Sequence, residues 1–225
     1  MSTKILVFDT ETNGLWSKDA NKPFPFIVQL SYIVFDINTK TVVKTYNKYI
    51  KQKQEMDYTS EAFQITGITR EMCDNGISIV DALIEFYMDY MSVGKVVAHN
   101  IEFDRRMLEI EMLRNHTEIE DAMSESPHIP PTATLFREVY NQISNIVLCC
   151  TMNLGKHVCN IMKESNFGGK YKKPPKLIEL YEKLFEETPK NLHNSLIDCA
   201  LCLRSYVKMT FKYTIPKSQL PCLSE

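Results

Sequence analysis

The chain has 225 residues, 44% of them hydrophobic and 24% charged, which are the proportions of an ordinary globular protein and exclude disordered, collagenous and fibrous classes. Its 26 basic and 28 acidic residues give a formal net charge of −2, so a surface for nucleic acid must be a local patch. Only seven of the 225 residues are glycine, about 3% against an average of roughly 7%, which disfavours a fold built on glycine-rich phosphate-binding loops.

The first third of the chain predicts three strands that form an antiparallel meander. Runs rich in apolar and β-branched residues lie at positions 4–8, 27–37 and 41–50. The segment 36–40, between the second and third runs, is typical of a hairpin turn.

The remainder of the chain predicts an alternation of helices and short strands. Helical spacing of apolar residues occurs at 60–65, 79–91, 101–113, 152–162, 177–185 and 195–209, and short apolar runs occur at 95–98 and 145–150. Two irregular segments interrupt this pattern: 116–131 is expected to be an inserted surface loop or lid, and 166–175 a second long loop. We therefore predict one α/β domain with a mixed sheet over residues 1–212, followed by a short C-terminal tail over residues 213–225.

We expect neither a membrane-spanning segment nor a secretion signal in this chain. No apolar stretch reaches the roughly 18 residues that span a bilayer, and the N-terminus leads directly into a run of strand length. The seven cysteines are irregularly spaced, so reduced thiols in an intracellular compartment, cytoplasm or nucleus, are the simplest interpretation. Cys199 and Cys202 lie in an apolar helical pattern, which favours core thiols over a zinc site.

Two acids end the first predicted strand. Asp9 and Glu11 are two residues apart, so their side chains point to the same face of the strand. Adjacent carboxylates repel each other, and a divalent cation held by oxygen ligands relieves that repulsion. The spacing is common by chance, and a strand that runs out into a polar turn is the alternative.

A second polar group follows the strand at 95–98. His99 and Asn100 end that strand, and Asp104 falls in the first turn of the next helix. An acid in a first turn is favoured by the helix dipole, with Asn100 as a cap, so Asp104 taken singly is more typical of a helix start than of a metal site.

A third polar group precedes the last helix. If Asn194 or Ser195 caps that helix, His193 lies on the preceding loop and Asp198 is fixed within the helix. Asp198 has mainly apolar neighbours in the sequence, and an acid in such surroundings needs a partner.

Taken in order, the three motifs resemble the DEDDh 3′-to-5′ exonucleases, the family of the DNA polymerase III epsilon proofreading subunit, oligoribonuclease and RNase T. The resemblance extends from Ile5 to about Tyr206 and is carried by Phe-Asp-Thr-Glu-Thr-Asn-Gly-Leu from residue 8 and by the His-Asn and Phe-Asp pairs at 99–100 and 103–104. The chain departs from it at Thr66 and Cys150, where the family often has His and Asp; neither is a metal ligand in the family. The resemblance implies a ribonuclease H-like α/β fold: a mixed five-stranded sheet, three antiparallel strands first, flanked by helices.

The resemblance also implies an activity. Asp9, Glu11, Asp104 and Asp198 would hold two Mg²⁺ or Mn²⁺ ions, and His193 would be the general base. The expected reaction is hydrolysis of the terminal phosphodiester at 3′ ends of DNA or RNA, mainly single-stranded, which releases nucleoside 5′-monophosphates. A catalytically weak nucleic-acid-binding or scaffold domain that retains the fold is the alternative.

Several further residues are expected to contact the substrate. They are Thr10, Asn13, Gly14, His99, Asn100 and Phe103, with Phe103 as a base-stacking surface and Trp16 and Phe26 favoured as core residues. The basic run from Lys170 to Lys176 is either a phosphate contact or a solvated loop. The sequence leaves open the choice between DNA and RNA and the oligomeric state, a homodimer included.

Overall fold

The computed structural model describes residues 2–16, 23–165, 168–189 and 192–223, and its centre is a five-stranded mixed sheet. The strands are β1 (Lys4–Thr12), β2 (Ile27–Asp36), β3 (Thr41–Tyr49), β4 (Lys95–Ala98) and β5 (Val147–Cys150). In the order β3-β2-β1-β4-β5, the first three pair antiparallel, while β4 runs parallel to β1 and β5 parallel to β4. The predicted mixed sheet with three antiparallel strands first is confirmed.

Helices cover both faces of this sheet. They are α1 (Glu61–Thr66), α2 (Arg70–Asp74), α3 (Ile79–Tyr90), α4 (Ile101–Arg114), α5 (His116–Ala122), α6 (Pro131–Thr134), α7 (Glu138–Ser144), α8 (Thr151–Cys159), α9 (Leu177–Phe185) and α10 (Ser195–Phe211). Core residues of α3 and α4 pack against one face, and core residues of α10 pack against the other.

The alternation of side chains along β1 decides which layer each of its residues faces. Leu6 and Phe8 are buried in the layer of α3 and α4, whereas Ile5 and Val7 are buried against α10. The same alternation continues past the apolar part of the strand. Odd-numbered residues after Val7 therefore belong to the α10 side, and even-numbered ones to the α4 side.

Two predicted loops contain regular structure. The prediction of a loop over 116–131 is wrong for its first seven residues, which form α5, because Ile119 and the following Met123 lie one helical turn apart and are both buried in the core. The predicted loop at 166–175 contains β7 (Lys170–Lys172), which pairs antiparallel with β6 (Met162–Glu164). The helix predicted over 152–162 ends at Cys159, since Asn160 adopts a left-handed backbone conformation.

The C-terminal segment lies on the main core. Ile215 and Leu220 are buried in the same cluster as α10, and Arg204 donates from Nε to the carbonyl oxygen of Ile215 at 3.0 Å. The division into a domain over 1–212 and a tail over 213–225 stays a prediction. Within the described ranges no helix is both long and apolar enough to cross a bilayer.

Candidate active site

The candidate site lies where β1 meets the start of α10. Asp9 and Glu11 come from β1 and Asp198 from the first turn of α10, and each offers a carboxylate oxygen within 4.8 Å of the other two. Asp9 and Glu11 are odd-numbered, so β1 presents them to the α10 layer, which is where Asp198 lies. The fold therefore brings these three carboxylates together, as the resemblance to the DEDDh exonucleases led us to expect.

Asp104 reaches this end of the sheet from the other layer. It lies in the first turn of α4, only 3% exposed, and its Oδ1 accepts hydrogen bonds from the backbone N–H of Thr10 at 3.0 Å and from the Thr10 hydroxyl at 2.8 Å. Thr10 is even-numbered and faces α4, which explains the pairing. Asp104 is thus tied to the strand between Asp9 and Glu11 and is not part of the group of three.

Burial and mutual repulsion make these carboxyl groups reluctant to ionise. Burial, followed by the charges of Asp198 and Asp104, raises the pKa of Glu11 to about 8. Burial, followed by Asp104, Asp198 and Glu11, also raises the pKa of Asp9 well above its usual value. The pKa of Asp104 and that of Asp198 are each raised to about 7, mainly by burial.

Within the described ranges, no cationic side chain neutralises the four carboxyl groups. In the described part of the chain none of them forms an ion pair with a lysine or arginine. Asp198 Oδ1 is buried and has no hydrogen-bond partner among those residues. A cluster of carboxylate oxygens with an unpaired buried oxygen fits a hard divalent cation such as Mg²⁺ or Mn²⁺.

His193 precedes α10 and is exposed. Asn194 caps that helix, its Oδ1 accepting from the backbone N–H of Leu196 at 3.2 Å, so the expected cap is confirmed. His193 therefore lies on the loop, with a left-handed backbone at φ 66°. A hydrogen bond from the His193 backbone acts to lower the pKa of Asp198, so the loop and the carboxylate are in direct contact.

A closed polar network, not anticipated from the sequence, holds the start of α10 on the sheet. The Ser195 hydroxyl lies 2.6 Å from that of Ser31, which donates to Asn47 Oδ1 at 2.9 Å. Gln29 donates to the same Asn47 oxygen at 2.8 Å, and its Oε1 accepts from the Ser195 N–H at 3.4 Å. Ser31 pairs directly with Asp9 in the sheet register. The sequence signal for this network is the pair Gln29 and Ser31, two residues apart in a largely apolar β2.

His99 is engaged in the protein interior. Its Nδ1 lies 2.9 Å from the Thr151 hydroxyl, and its Nε2 lies 3.1 Å from the Pro175 carbonyl oxygen. Burial lowers the pKa of His99 to about 4, so the ring is neutral near pH 7. Both ring nitrogens of His99 are thus engaged within the protein and are not free for the expected contact with substrate. The residue instead joins the end of β4 to the segment before α9.

The residues after β1 are also partly occupied. Asn13 accepts from the Phe26 N–H at 2.7 Å and donates to Met56 Sδ at 3.3 Å, so it secures the chain that enters β2. The Gly14 carbonyl accepts from the Thr12 hydroxyl at 2.6 Å, and no atom of the described residues lies within 4 Å of the place where a Cβ would stand on Gly14.

The remaining predicted contacts lie around the start of α4. Asn100 is exposed and has a left-handed backbone, and its side chain makes no capping bond. Phe103 is partly buried against the core next to Asp104. Trp16 and Phe26 lie under arginines, with Arg106 5.4 Å from the Trp16 ring centroid and Arg114 3.7 Å from that of Phe26. Both rings are also partly buried against core clusters, which fits the expected core role.

Comparison with known families identifies a match along most of the chain. The RNase T exonuclease family model matches residues 6–206. Among curated relatives, the epsilon subunit of DNA polymerase III from Escherichia coli K12 is 23% identical over 208 residues, which are 92% of this chain and 72% of that protein. The PolC-type DNA polymerase III of Thermotoga petrophila is 33% identical over 106 residues, 47% of this chain, and the match spans only 7% of that polymerase.

Solved structures share the fold. One is a 3′-exonuclease whose structure describes 3′-end specific recognition of a histone mRNA stem-loop. It aligns over 95% of this chain and 84% of that one, with a TM-score of 0.63 and 14% identity. E. coli exonuclease I in complex with a dA16 oligonucleotide aligns over 92% of this chain and 41% of its own, with a TM-score of 0.58 and 15% identity. At these identities the likeness establishes the architecture.

Proposed function

This chain belongs to the RNase T exonuclease family, as a DEDDh member of the ribonuclease H-like superfamily, and from that premise we propose that it is a metal-dependent 3′-to-5′ exonuclease. Its substrate in this proposal is a single-stranded 3′ end of DNA or RNA, and its product is a nucleoside 5′-monophosphate. The observation that carries the proposal is the group formed by Asp9, Glu11 and Asp198, whose oxygens lie within 4.8 Å of one another.

The four acids would hold two divalent cations, Mg²⁺ or Mn²⁺. When bound, such ions lower the pKa of a coordinated water and offset the charge that develops on the phosphate and the leaving 3′ oxygen. Asp198 supplies an oxygen that no protein group occupies in the described residues, and Thr10 fixes the orientation of Asp104 through two hydrogen bonds. The rigid β1 and the buried start of α10 preorganise the ligand oxygens.

His193 is the general base of the proposed reaction. It takes the proton from the water that attacks the terminal phosphorus, while the bond from phosphorus to the 3′ oxygen of the preceding nucleotide breaks. Its exposed place on the loop before α10 lets the imidazole approach once a substrate is bound. The link between its backbone and Asp198 keeps this loop beside the acids.

The proposal is tested by digestion of 5′-labelled substrates. Single-stranded DNA, single-stranded RNA and a duplex with a 3′ mismatch are each incubated with Mg²⁺, Mn²⁺ or EDTA. The expected result is a ladder shortened from the 3′ end with either metal and intact substrate in EDTA. Asp9→Asn should abolish cleavage, whereas Asp121→Asn, at an exposed acid outside the site, should not.

Three outcomes would count against the proposal. Internal or 5′-end cleavage would contradict the direction. Undiminished cleavage by Asp198→Asn would contradict the assignment of the site. Binding of nucleic acid without cleavage in either metal would replace the enzyme by a noncatalytic binding domain of the same fold.

A further inference from the structure

A small hairpin stands apart from the main sheet. We call its described residues, 162–165 and 168–172, the lysine hairpin; it consists of β6, β7 and a turn that includes Gly168 and Gly169, both with positive φ. The paired positions are Met162 with Lys172, Lys163 with Tyr171 and Glu164 with Lys170. All six of these residues are exposed. An isolated two-stranded hairpin is marginally stable at best, so burial of apolar surface does not account for this element.

The base of the hairpin is nevertheless well anchored. Lys173 donates from its backbone N–H to the carbonyl oxygen of Ile161 at 2.8 Å, and its ammonium group lies 2.8 Å from Glu179 Oε1 in α9. Glu179 Oε2 also accepts from the backbone N–H of Lys176 at 2.7 Å, which closes the start of α9. The strands therefore project from a fixed base.

That base lies on the same edge of the sheet as the acidic site. Pro175 is buried and its carbonyl lies 3.1 Å from His99 Nε2, while a Cβ added at Gly155 would come within 3.0 Å of the Pro175 ring. His99 directly follows the last residue of β4, which runs parallel to β1. The carboxyl ends of parallel strands meet at one edge, so the hairpin begins beside the edge that carries Asp9 and Glu11.

The two faces of the hairpin differ in chemistry. Since facing residues of paired strands share a face, Lys163 and Tyr171 lie together on one side. Tyr171 is 48% exposed, and its hydroxyl makes no hydrogen bond within the described part of the chain. The opposite side carries Lys170 and Lys172, with Glu164 facing Lys170. One face thus offers an aromatic ring beside a cation, and the whole hairpin carries an excess of positive charge.

This combination suits a single-stranded nucleic acid. An aromatic ring stacks on an unpaired base of any identity, and a lysine on the same face contacts a neighbouring phosphate. A base within a duplex is already stacked and paired, so its face is not available to the ring. The excess of lysine also offsets the repulsion between a polyanionic strand and the nearby acids.

We propose that the lysine hairpin is a binding site for the single-stranded segment that leads to the 3′ end, with Tyr171 stacking on a base and Lys163, beside it on the same face, contacting a phosphate. The inference rests on the proposed function for the direction of the strand. Binding itself does not depend on catalysis, so the two can fail separately.

The test measures binding without cleavage. Fluorescence anisotropy follows a labelled single strand of roughly 12 nucleotides in EDTA over a range of salt concentrations, a length that exceeds one stacking site. Tyr171→Ala is expected to weaken binding about tenfold, within the range for loss of one stacked base, and Tyr171→Phe to restore it. Lys163→Ala should reduce the slope of log affinity against log salt by about 0.7, the value for one phosphate contact on a single strand.

The matched control is Lys48→Ala, which removes one exposed lysine from β3. It should leave affinity and salt slope close to those of the unchanged protein. A duplex of the same length should bind the Tyr171→Ala variant as it binds the unchanged protein.

Two results would overturn the hairpin proposal: equal single-strand binding by all the variants, or an equal loss for single strand and duplex. A Tyr171-dependent affinity in a protein that cleaves nothing with Mg²⁺ or Mn²⁺ would instead support the hairpin proposal and refute the proposed function.

Discussion

Thr10 donates two hydrogen bonds to a single carboxylate oxygen of Asp104, one from its backbone at 3.0 Å and one from its hydroxyl at 2.8 Å. The pair joins the two layers of the fold, because Thr10 belongs to β1 and Asp104 to α4. Both bonds lower the pKa of Asp104 and so oppose the effect of burial. Thr10 lies between Asp9 and Glu11 in the sequence and is therefore a positioning residue for Asp104.

Thr10→Val keeps the size of the side chain and removes the hydroxyl. We expect the Mg²⁺ concentration needed for half-maximal cleavage to rise and kcat/KM to fall about tenfold, equivalent to ~1.4 kcal/mol, close to the lower limit for a hydrogen bond to a charged group. Thr10→Ser keeps the hydroxyl and should retain most of the activity. An unchanged Mg²⁺ dependence in Thr10→Val would show that the backbone bond alone positions Asp104.

The buried hydroxyls of Ser31 and Ser195 give a second prediction. They lie 2.6 Å apart and are both completely buried, and Ser31 donates onward to Asn47, so Ser195 is the donor of the pair. Ser195→Ala should lower the free energy of unfolding by about 1 to 3 kcal/mol because it leaves a buried acceptor without its donor. Denaturant unfolding measures the effect.

The control for this pair is a double-mutant cycle. With Ser31→Ala and the double variant, the coupling energy should be about 1 kcal/mol. Additive effects within the error of measurement would contradict a direct bond between the two hydroxyls. A stability loss of similar size in both single variants, with no coupling, would indicate cavities only.

The sequence predicted the parts of the site that depend on local pattern. Residues close by in the sequence are enough to predict the spacing of Asp9 and Glu11 on a strand, the place of Asp104 in a first turn and the cap at Asn194. The mixed sheet with three antiparallel strands first followed from the resemblance and the strand pattern together.

What the sequence could not provide are contacts between distant residues. The bond between Thr10 and Asp104 spans 94 positions and that between Ser31 and Ser195 spans 164, and no local rule predicts either. The engagement of His99 with Pro175 depends on a chain segment 76 residues away. The lysine hairpin was missed because its strands have three residues each and no buried face, so neither periodicity nor hydrophobicity marks them.

His193 gives the third prediction. If it accepts a proton in the chemical step, His193→Ala should reduce kcat by a factor of about 10² to 10⁴ and leave KM nearly unchanged. The matched control is His128→Ala, at an exposed histidine between α5 and α6. Single-turnover digestion of a labelled single strand separates the chemical step from product release. A loss confined to KM would assign His193 to substrate binding.

The last prediction concerns pH and the metal-free protein. The pKa of Glu11 is raised to about 8 and those of Asp104 and Asp198 to about 7, so above the pKa values of the unfolded chain the folded state binds more protons than the unfolded one. Stability must then fall as pH rises through the folded values. His99, whose pKa is lowered to about 4, acts in the opposite direction, but its unfolded form loses its single proton by about pH 7.5, so the three acids outweigh it.

We therefore expect the Tm in EDTA to fall between about pH 6.5 and 8.5, and Mg²⁺ to restore it by binding the ionised acids. Glu11→Gln removes one of the repelling charges, so at about pH 8 in EDTA it should melt above the unchanged protein, by about 2 to 4 °C for each kcal/mol of repulsion removed, while losing cleavage. Glu55→Gln, at an exposed acid outside the cluster, should melt like the unchanged protein. A Tm in EDTA that stays level or rises over this range would contradict the repulsion among the four acids.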